Sequence, residues 1–508
     1  MWAGGAVFFV GNAMHTMAAS WLMVELTGSA FLAALVQTAM FLPMFLLSLP
    51  AGVLADTTDR RRLLARSQAV YAATATLLAV LSFAGWAVPA VLLSFTFVMG
   101  LCTALQSPAW NSAISESVER SELPQAITLV AMAFNGARAI GPALAGLIFA
   151  AVGSPAVFAL SVATALVMME TLRRWPPQPH PASVLPPERL WGGMLAGLRF
   201  SRHSTTVYAQ LVRTVAFSAV GSALWALLPV IAQQQLGLGA AGFGLLMACL
   251  GAGAVAAGFQ VARARALLGL DRLAAIASVV FAGAMLIAAH VAWAPAVYIA
   301  LVGAGAAWMG MMSTLNAATQ TSAPPWMRAR AASMHTLCAL GSFAIGSAVW
   351  GAASGIVGLA ATLTLAAVGL VAGMALQRWY PLRMGEADDI TPAAPWQEFT
   401  VAEEPSPEAG PVAVELVYRI DAADAAAFLN AASALRTPRH RDGATFWRVY
   451  RDLADPTRFV ERFIVTSWAD YLRHRAHATR ADQELEARVR AFQIDGAAVS
   501  LHHYIAER

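Results

Sequence analysis

The sequence contains no lysine: all 33 of its basic residues are arginine. Charge of either sign is scarce, at 12% of residues, where a soluble domain carries about 25%. The arginines stand in short clusters between apolar runs instead of forming one basic face, which excludes a nucleic-acid reading. Cysteine is nearly absent as well. Cys102, Cys249 and Cys338 lie singly inside apolar stretches, a spacing that builds neither a disulfide framework nor a metal set, and they read as small apolar fillers. No metal and no cofactor is expected. What fills the 508 residues is apolar: 58% are hydrophobic and the mean hydropathy is +0.60, the composition of a membrane protein.

A helix needs about 20 apolar residues to cross the hydrocarbon core. Twelve such stretches precede residue 380, at 2–24, 30–54, 64–85, 88–107, 125–149, 154–172, 206–232, 241–261, 273–291, 294–316, 330–353 and 355–377. The first run lacks a basic flank and exceeds the length of a signal-peptide core, so it reads as a retained helix. Because it starts almost at Met1 with no arginine before it, a start upstream or a truncated chain is expected.

Loop charge fixes the expected topology through the positive-inside rule. Arginines follow every even-numbered span, among them Arg60, Arg61 and Arg62 after the second and Arg263, Arg265 and Arg272 after the eighth. The odd-numbered exits carry no arginine, and their single charge is Glu25. Both termini are therefore expected in the cytoplasm, in a multi-pass protein of the bacterial inner membrane.

Sliding the first six spans along the second six without gaps gives a clear match around the fourth to sixth at an offset of 205 residues: Gly100 falls on Gly305, Asn111 on Asn316, Ser117 on Ser322, Gly136 on Gly341, Gly141 on Gly346, Gly146 on Gly351 and Gly153 on Gly358. Two six-helix halves of like orientation follow, a pseudosymmetry that places a substrate site between the halves near the bilayer midplane. The expected domains are an N-terminal bundle at 1–175, a linker with an amphipathic helix at 176–204, a C-terminal bundle at 205–380, a flexible linker at 381–410 and a soluble domain at 411–508. In that domain strands at 412–420, 445–453, 458–466 and 498–506 and helices at 422–435 and 467–492 give the order β-α-β-β-α-β, a ferredoxin-like α+β arrangement.

Three motifs carry the functional reading. After the second span the chain reads Gly52-Val-Leu-Ala-Asp56-Thr-Thr-Asp59-Arg60-Arg61-Arg62. It resembles the loop signature of the major facilitator superfamily, in which such residues lock the cytoplasmic side. Gly52 lets helices approach, Asp56 suits a neighbouring helix N-terminus, and the arginines pair across the loop. Thr57 and Asp59 depart from that signature, where the family has a basic residue and a glycine, and the departure implies a rewired lock. The fifth span reads Asn135-Gly136-Ala-Arg138-Ala-Ile-Gly141-Pro142-Ala-Leu-Ala-Gly146, similar to the Gly-Pro signature of drug:proton antiporters. With Trp21-Leu-Met-Val-Glu25-Leu-Thr-Gly28-Ser29 and Phe41-Leu-Pro43, the chain resembles the enterobactin-exporter-like branch over nearly its whole length. That resemblance implies proton-driven export of siderophores, drugs or other small hydrophobic molecules.

Polar groups inside spans are costly and are candidates for function. Arg138, a permanent cation, either faces a central cavity, where it meets an anionic substrate or a carboxylate, or makes a structural pair between helices. Asn12, His15, Gln37, Asn135, Arg213 and His335 are further candidates for the cavity or for coupling, and Glu25 and the histidines are the groups whose protonation could follow the gradient. Asn111 and Asn316 read as helix caps or bridges. The soluble domain resembles dimeric α/β-barrel domains related to antibiotic-biosynthesis monooxygenases, on Ser467-Trp468, His474 and His477. His474 and His477 lack a third metal ligand and are expected on an exposed, partner-facing surface serving dimerisation or regulation. The expected partners are a small-molecule substrate, protons and the lipid bilayer. Competing readings are a membrane-anchored enzyme acting through the last domain and a non-transporting sensor.

Overall fold

The computed structural model describes residues 2–118, 122–175, 190–393, 401, 403–494 and 499–507. Helices α1 (Trp2–Thr27), α2 (Ala30–Thr57), α3 (Arg60–Phe83), α4 (Pro89–Ser117), α5 (Leu123–Val152) and α6 (Ser154–Arg174) form the first half. After α7 (Leu190–His203), the second half comprises α8 (Thr205–Val230, extended by a π turn over Ile231–Gln235), α9 (Ala240–Leu268), α10 (Leu270–His290), α11 (Ala294–Thr321), α12 (Arg328–Val357) and α13 (Leu359–Gly373, extended by a 3-10 turn over Met374–Arg378). Among the described residues, twelve helices are long and apolar enough to cross a membrane. Each matches one expected span, and α9 and α11 run beyond the expected apolar limits at the arginine-bearing end. Phe83, Phe259, Ile299 and Ile356 are among the many large apolar side chains left exposed on these helices. Such a surface is an aggregation hazard in water and the natural exterior in lipid.

Residues Met1–Leu185, Leu211–Asn316 and His335–Leu382 form one compact unit; Pro186–Gln210, Ala317–Met334 and Arg383–Arg508 form a second.

In the first unit most of the repeated glycines occupy equivalent places, Gly136 and Gly341 being the exception: a Cβ on Gly136 meets nothing within 4 Å, and one on Gly341 would collide with the Phe45 ring. A Cβ on Gly100 of α4 would collide with the carbonyl of Met40 on α2, and one on Gly305 of α11 with that of Leu250 on α9. Gly141 of α5 abuts Val10 and Ala13 of α1, while Gly346 of α12 abuts Ala219 of α8. Gly146 of α5 meets Ala240 and Gly244 of α9, and Gly351 of α12 meets Phe31 and Ala34 of α2. Each pair exchanges first-half helices for their second-half counterparts. Without a hydrophobic force between helices in lipid, such small residues let backbones close to van der Waals contact. Gly153 and Gly358 begin α6 and α13 at φ of 82° and 86°, a left-handed conformation that glycine adopts without steric cost.

The second unit contains a four-stranded antiparallel sheet in the order β2-β3-β1-β4, formed by β1 (Val412–Arg419), β2 (Phe446–Arg451), β3 (Arg458–Val465) and β4 (Ser500–Ile505). Val412 opposes Val465 across one edge of β1 and Ile505 across the other. Alternation along β1 sends Val412, Val414, Leu416 and Tyr418 into a core with Phe428, Phe459, Phe463 and Trp468. The short helices are α14 (Ala387–Ile390), α15 (Ala425–Ser433), α16 (Arg436–Arg441), α17 (Trp468–Ala476) and α18 (Arg480–Arg490). The single helix expected at 467–492 is two. The first ends at Ala476 with His477 as its cap, and Thr479 starts the second with a capping box, its hydroxyl serving the Asp482 amide while the Asp482 carboxylate takes the Thr479 amide at 2.8 Å.

The segment expected as a linker at 381–410 is held at both of its described ends. Ala393 donates to Ala478 and Arg480 to Thr391 at 2.9 and 3.1 Å, and Trp468 and Ala469 donate to Ala409 and Pro407. Residues 394–400 lie outside the described part, as does Pro176–Arg189 of the other linker. The amphipathic segment expected after it is α7. That helix packs on α16, with His203 stacked on His440 at 5.9 Å, and Trp326, between α11 and α12, stacks on His477 at 5.1 Å with 5° between the rings.

Candidate translocation site

The sharpest sequence candidate, Arg138, sits on α5 with its guanidinium 4.9 Å from the centre of the Trp225 ring of α8. The contact is a cation–π pair between the two halves. Trp225 belongs to an aromatic cluster with Trp308 of α11 and Phe343 of α12, at 5.8 and 6.5 Å, which continues through Phe217, Phe281 and, from α2, Phe41. Phe343 is the repeat counterpart of Arg138, so the same position holds a cation in one half and an aromatic ring in the other, and both touch Trp225. The indole nitrogen of Trp225 is buried without a hydrogen-bond partner among the described residues. Cation, ring faces and an unused N–H donor meet here: the donors suit an anionic or carbonyl oxygen, and the rings suit a flat apolar body.

The sequence flagged Arg138 through its charge and missed the cluster. Its aromatic residues are scattered over five helices, and only the fold assembles them.

The other candidates are dispersed. Asn12 accepts from the Tyr71 hydroxyl at 3.2 Å, within the first half. His15 is fully buried beside Phe158, and neither ring nitrogen has a hydrogen-bond partner among the described residues. Gln37 is buried, and the neighbouring Thr38 donates across to Ala344 of α12 at 2.9 Å. Asn135 turns back on its own helix to Ala131. His335 meets Thr214 at 3.2 Å. Arg213, buried on α8, pairs at 3.5 Å with Asp271 at the start of α10, and that carboxylate also accepts from the Leu382 amide. It serves as a brace near one helix end. Glu25 is exposed. Gly141 and Gly146 are close-approach points, as described, and α5 runs unbroken through Pro142.

Of the expected gate, the surroundings of Gly52 and the Asp56 side chain lie outside the described part. Asp59 caps α3, accepting from the Arg62 amide at 3.1 Å, with the Arg62 side chain 3.4 Å away. The expectation that the arginines pair across the loop takes a different form for Arg61. It donates to the carbonyls of Leu172 and Arg173 at 3.0 and 2.6 Å, the exposed C-terminal end of α6, where helix dipole and unsatisfied carbonyls both attract a cation. Arg60 is half-buried at the first residue of α3.

In the second unit the histidines depart from expectation. His474 is 4% exposed, packed against Phe463, and burial followed by the nearby Arg439 pushes its pKa down to about 3. It is a core residue, because α17 turns that face onto the sheet. His477 ends the helix and faces Trp326 instead. Among the described residues no three His, Cys, Asp or Glu side chains could hold a metal.

The structure also exposes a buried polar network that the sequence did not signal. Arg439 of α16 lies between Glu461 of β3 at 3.0 Å and Glu486 of α18 at 2.8 Å, and Glu461 further accepts from Trp447 and Tyr418 at 3.0 and 3.1 Å. Burial opposes the charge on Arg439, but the two glutamates more than offset that and raise its pKa.

Two like halves of six helices meeting on small-residue seams around a cation and an aromatic cluster define a transporter of the major facilitator superfamily. The chain belongs to the family of transmembrane secretion effectors, whose model matches residues 1–508. It is a multi-pass membrane protein, and its family is one of transporters and not of enzymes. It is similar to the staphyloferrin A transporter of Staphylococcus aureus, 27% identical over 30% of this chain and 38% of that one. It is also similar to macrolide efflux protein A of Streptococcus pyogenes, 26% identical over 46% of this chain and 58% of that one. The chain thus spans less than two thirds of the length of these relatives. The crystal structure of a bacterial homologue of the human lysosomal transporter Spinster, inward-facing and occupied, shares the fold with a TM-score of 0.60 at 14% identity, over 75% of this chain and 95% of that one.

Proposed function

We propose that this protein is a secondary active exporter of small, largely apolar molecules with an anionic or catecholate-like part, working by alternating access and driven by the proton gradient. The observation that carries the reading is the pair of equivalent seams between halves, α5 on α9 at Gly146 and α12 on α2 at Gly351. Two smooth contacts of this kind are the bearing surfaces on which halves can rock about a central site. Siderophore and macrolide transporters among its relatives support the substrate class and the enterobactin-exporter-like placement. The loop arginines support even-numbered exits, both termini and the sheet domain on the cytoplasmic side. Asp56 with Asp59, Arg60 and Arg61 forms the cytoplasmic gate, Arg138 meets the substrate, and Glu25, His15 and His335 are the groups offered for proton coupling. The strand order and two helical crossovers support a ferredoxin-like domain akin to dimeric α/β-barrels, which serves dimerisation or regulation.

Accumulation of a labelled catecholate siderophore and of a fluorescent macrolide, in exporter-deficient cells expressing wild type, Asp56→Asn or Arg138→Ala, with and without a protonophore, tests the reading. Reduced accumulation that vanishes with the protonophore and in both variants supports it. Equal accumulation in expressing and empty cells, with the protein present in the membrane, overturns it.

A further inference from the structure

The second unit contains a cleft in which α7, the start of α12 and the sheet domain converge. Four guanidinium groups line it, Arg199 from α7, Arg330 from α12, Arg441 beside α16's end and Arg473 from α17, against two carboxylates, Asp442 and Asp470. The carboxylates are engaged: Asp442 takes both ends of a fork from Arg441 at 2.9 and 2.8 Å, and Asp470 pairs with Arg473 at 2.9 Å while also receiving the Ser467 hydroxyl. The lining itself carries two more positive than negative formal charges, and Asp482 behind it, paired with Arg441 at 2.5 Å, leaves one positive charge in excess. Arg199 Nε is buried with no hydrogen-bond partner among the described residues. A desolvated guanidinium donor left unused is costly, and an oxyanion is what such a donor ordinarily meets.

Local geometry leaves the cleft open. Gly443, with φ of 123°, lies at its wall, where even an added Cβ would sit 3.8 Å from an Arg199 nitrogen. Gly197 of α7 lies against the Arg330 stem, where an added Cβ would stand 3.5 Å from the Arg330 Cβ. Arg330 stands in the first turn of α12, whose N-terminal end adds a positive partial charge of the same sense. The field registers on His477, also in the lining: burial first, then Arg330, Arg473 and Arg441, push its pKa down to about 4.

We propose that this arginine cleft binds a phosphate group, presented by a free phosphate compound or by the headgroup of an anionic phospholipid. A tetrahedral oxyanion offers several acceptor oxygens to guanidinium forks arriving from three segments, and it offsets the surplus positive charge. The exposed Leu195 and Leu198 on α7 flank Arg199 and would rest at a bilayer surface in the lipid case. Bound there, the anion joins α7 and the α11–α12 connection to the sheet domain.

The test uses the full chain, delipidated in neutral detergent, and follows hydrogen–deuterium exchange at 195–203, 326–332 and 438–478. Inorganic phosphate is titrated against chloride at matched ionic strength. In a second arm the chain is placed in nanodiscs of phosphatidylcholine with or without phosphatidylglycerol. Slower exchange in all three segments with phosphate supports the site and a free ligand; slowing only with phosphatidylglycerol supports the site and assigns the headgroup. Arg199→Gln and Arg330→Gln should each weaken the apparent affinity about tenfold or more, the loss of a charged hydrogen bond, with Arg199→Lys in between. Identical responses to phosphate and chloride with no headgroup dependence, or protection undiminished in both glutamine variants, overturns the proposal. The wild-type comparison stands whether or not a variant folds, and the readout is binding, so it is independent of whether the chain exports anything.

Discussion

Arg138 illustrates how much one side chain owes to its surroundings. On an isolated helix a cation in the hydrocarbon core costs several kcal/mol; over the Trp225 face about 0.5 to 2 kcal/mol returns as cation–π attraction. Trp225→Leu should therefore weaken substrate interaction about 2- to 30-fold, read as the transport KM, whereas Trp225→Phe, which keeps a ring, should retain most of it. His474 supplies a residue-scale prediction in the other unit. Its folded pKa, about 3, lies below its ordinary value of 6.5, so between those values the unfolded chain binds the proton and the folded chain does not. Stability of the sheet domain should thus be full above pH 6.5 and fall as pH drops through that window. Thermal unfolding of the full chain, followed at the sheet's tryptophans, should show this decline, and His474→Leu should flatten it.

Seams between helices respond to volume. Gly146→Leu places a side chain on the Ala240 carbonyl and Gly351→Leu places one on the Ala34 Cβ, and each should abolish transport while the protein still reaches the membrane. Gly136→Leu is the control, since its Cβ meets nothing within 4 Å and its transport should be near that of wild type. In the sheet domain α16, α18 and β3 are joined by Arg439. Arg439→Met leaves Glu461 and Glu486 buried without their cation and should destabilise that domain by about 3 to 5 kcal/mol in denaturant titration. Thr479→Ala, removing half of a capping box, should cost only about 1 kcal/mol.

For the molecule as a whole, orientation is decided by which loops carry arginine, and it can be read by labelling. In a background lacking Cys102, Cys249 and Cys338, Trp86→Cys between α3 and α4 should react with a membrane-impermeant maleimide in intact cells. Arg263→Cys near the end of α9 should react only after permeabilisation. The reverse pattern would invert the topology and the direction of export with it.

The helices and their number were legible because a span is a property of one stretch of chain: length and apolarity suffice to satisfy every backbone group in lipid. The repeat was legible for a similar reason, since Gly100 and Gly305, or Gly153 and Gly358, hold the same backbone geometry in each half and glycine alone fits it. The four strands were legible from their alternation and bounding turns; their order in the sheet was not. What the sequence could not assign were contacts between segments far apart in the chain. Trp225 beside Arg138, Arg213 against Asp271, Arg61 on the end of α6, His474 in a core and Arg439 between two glutamates each depend on which helix or strand faces which. That choice belongs to packing, where a one-residue rotation exchanges a partner for lipid or water, and only the tertiary structure makes it.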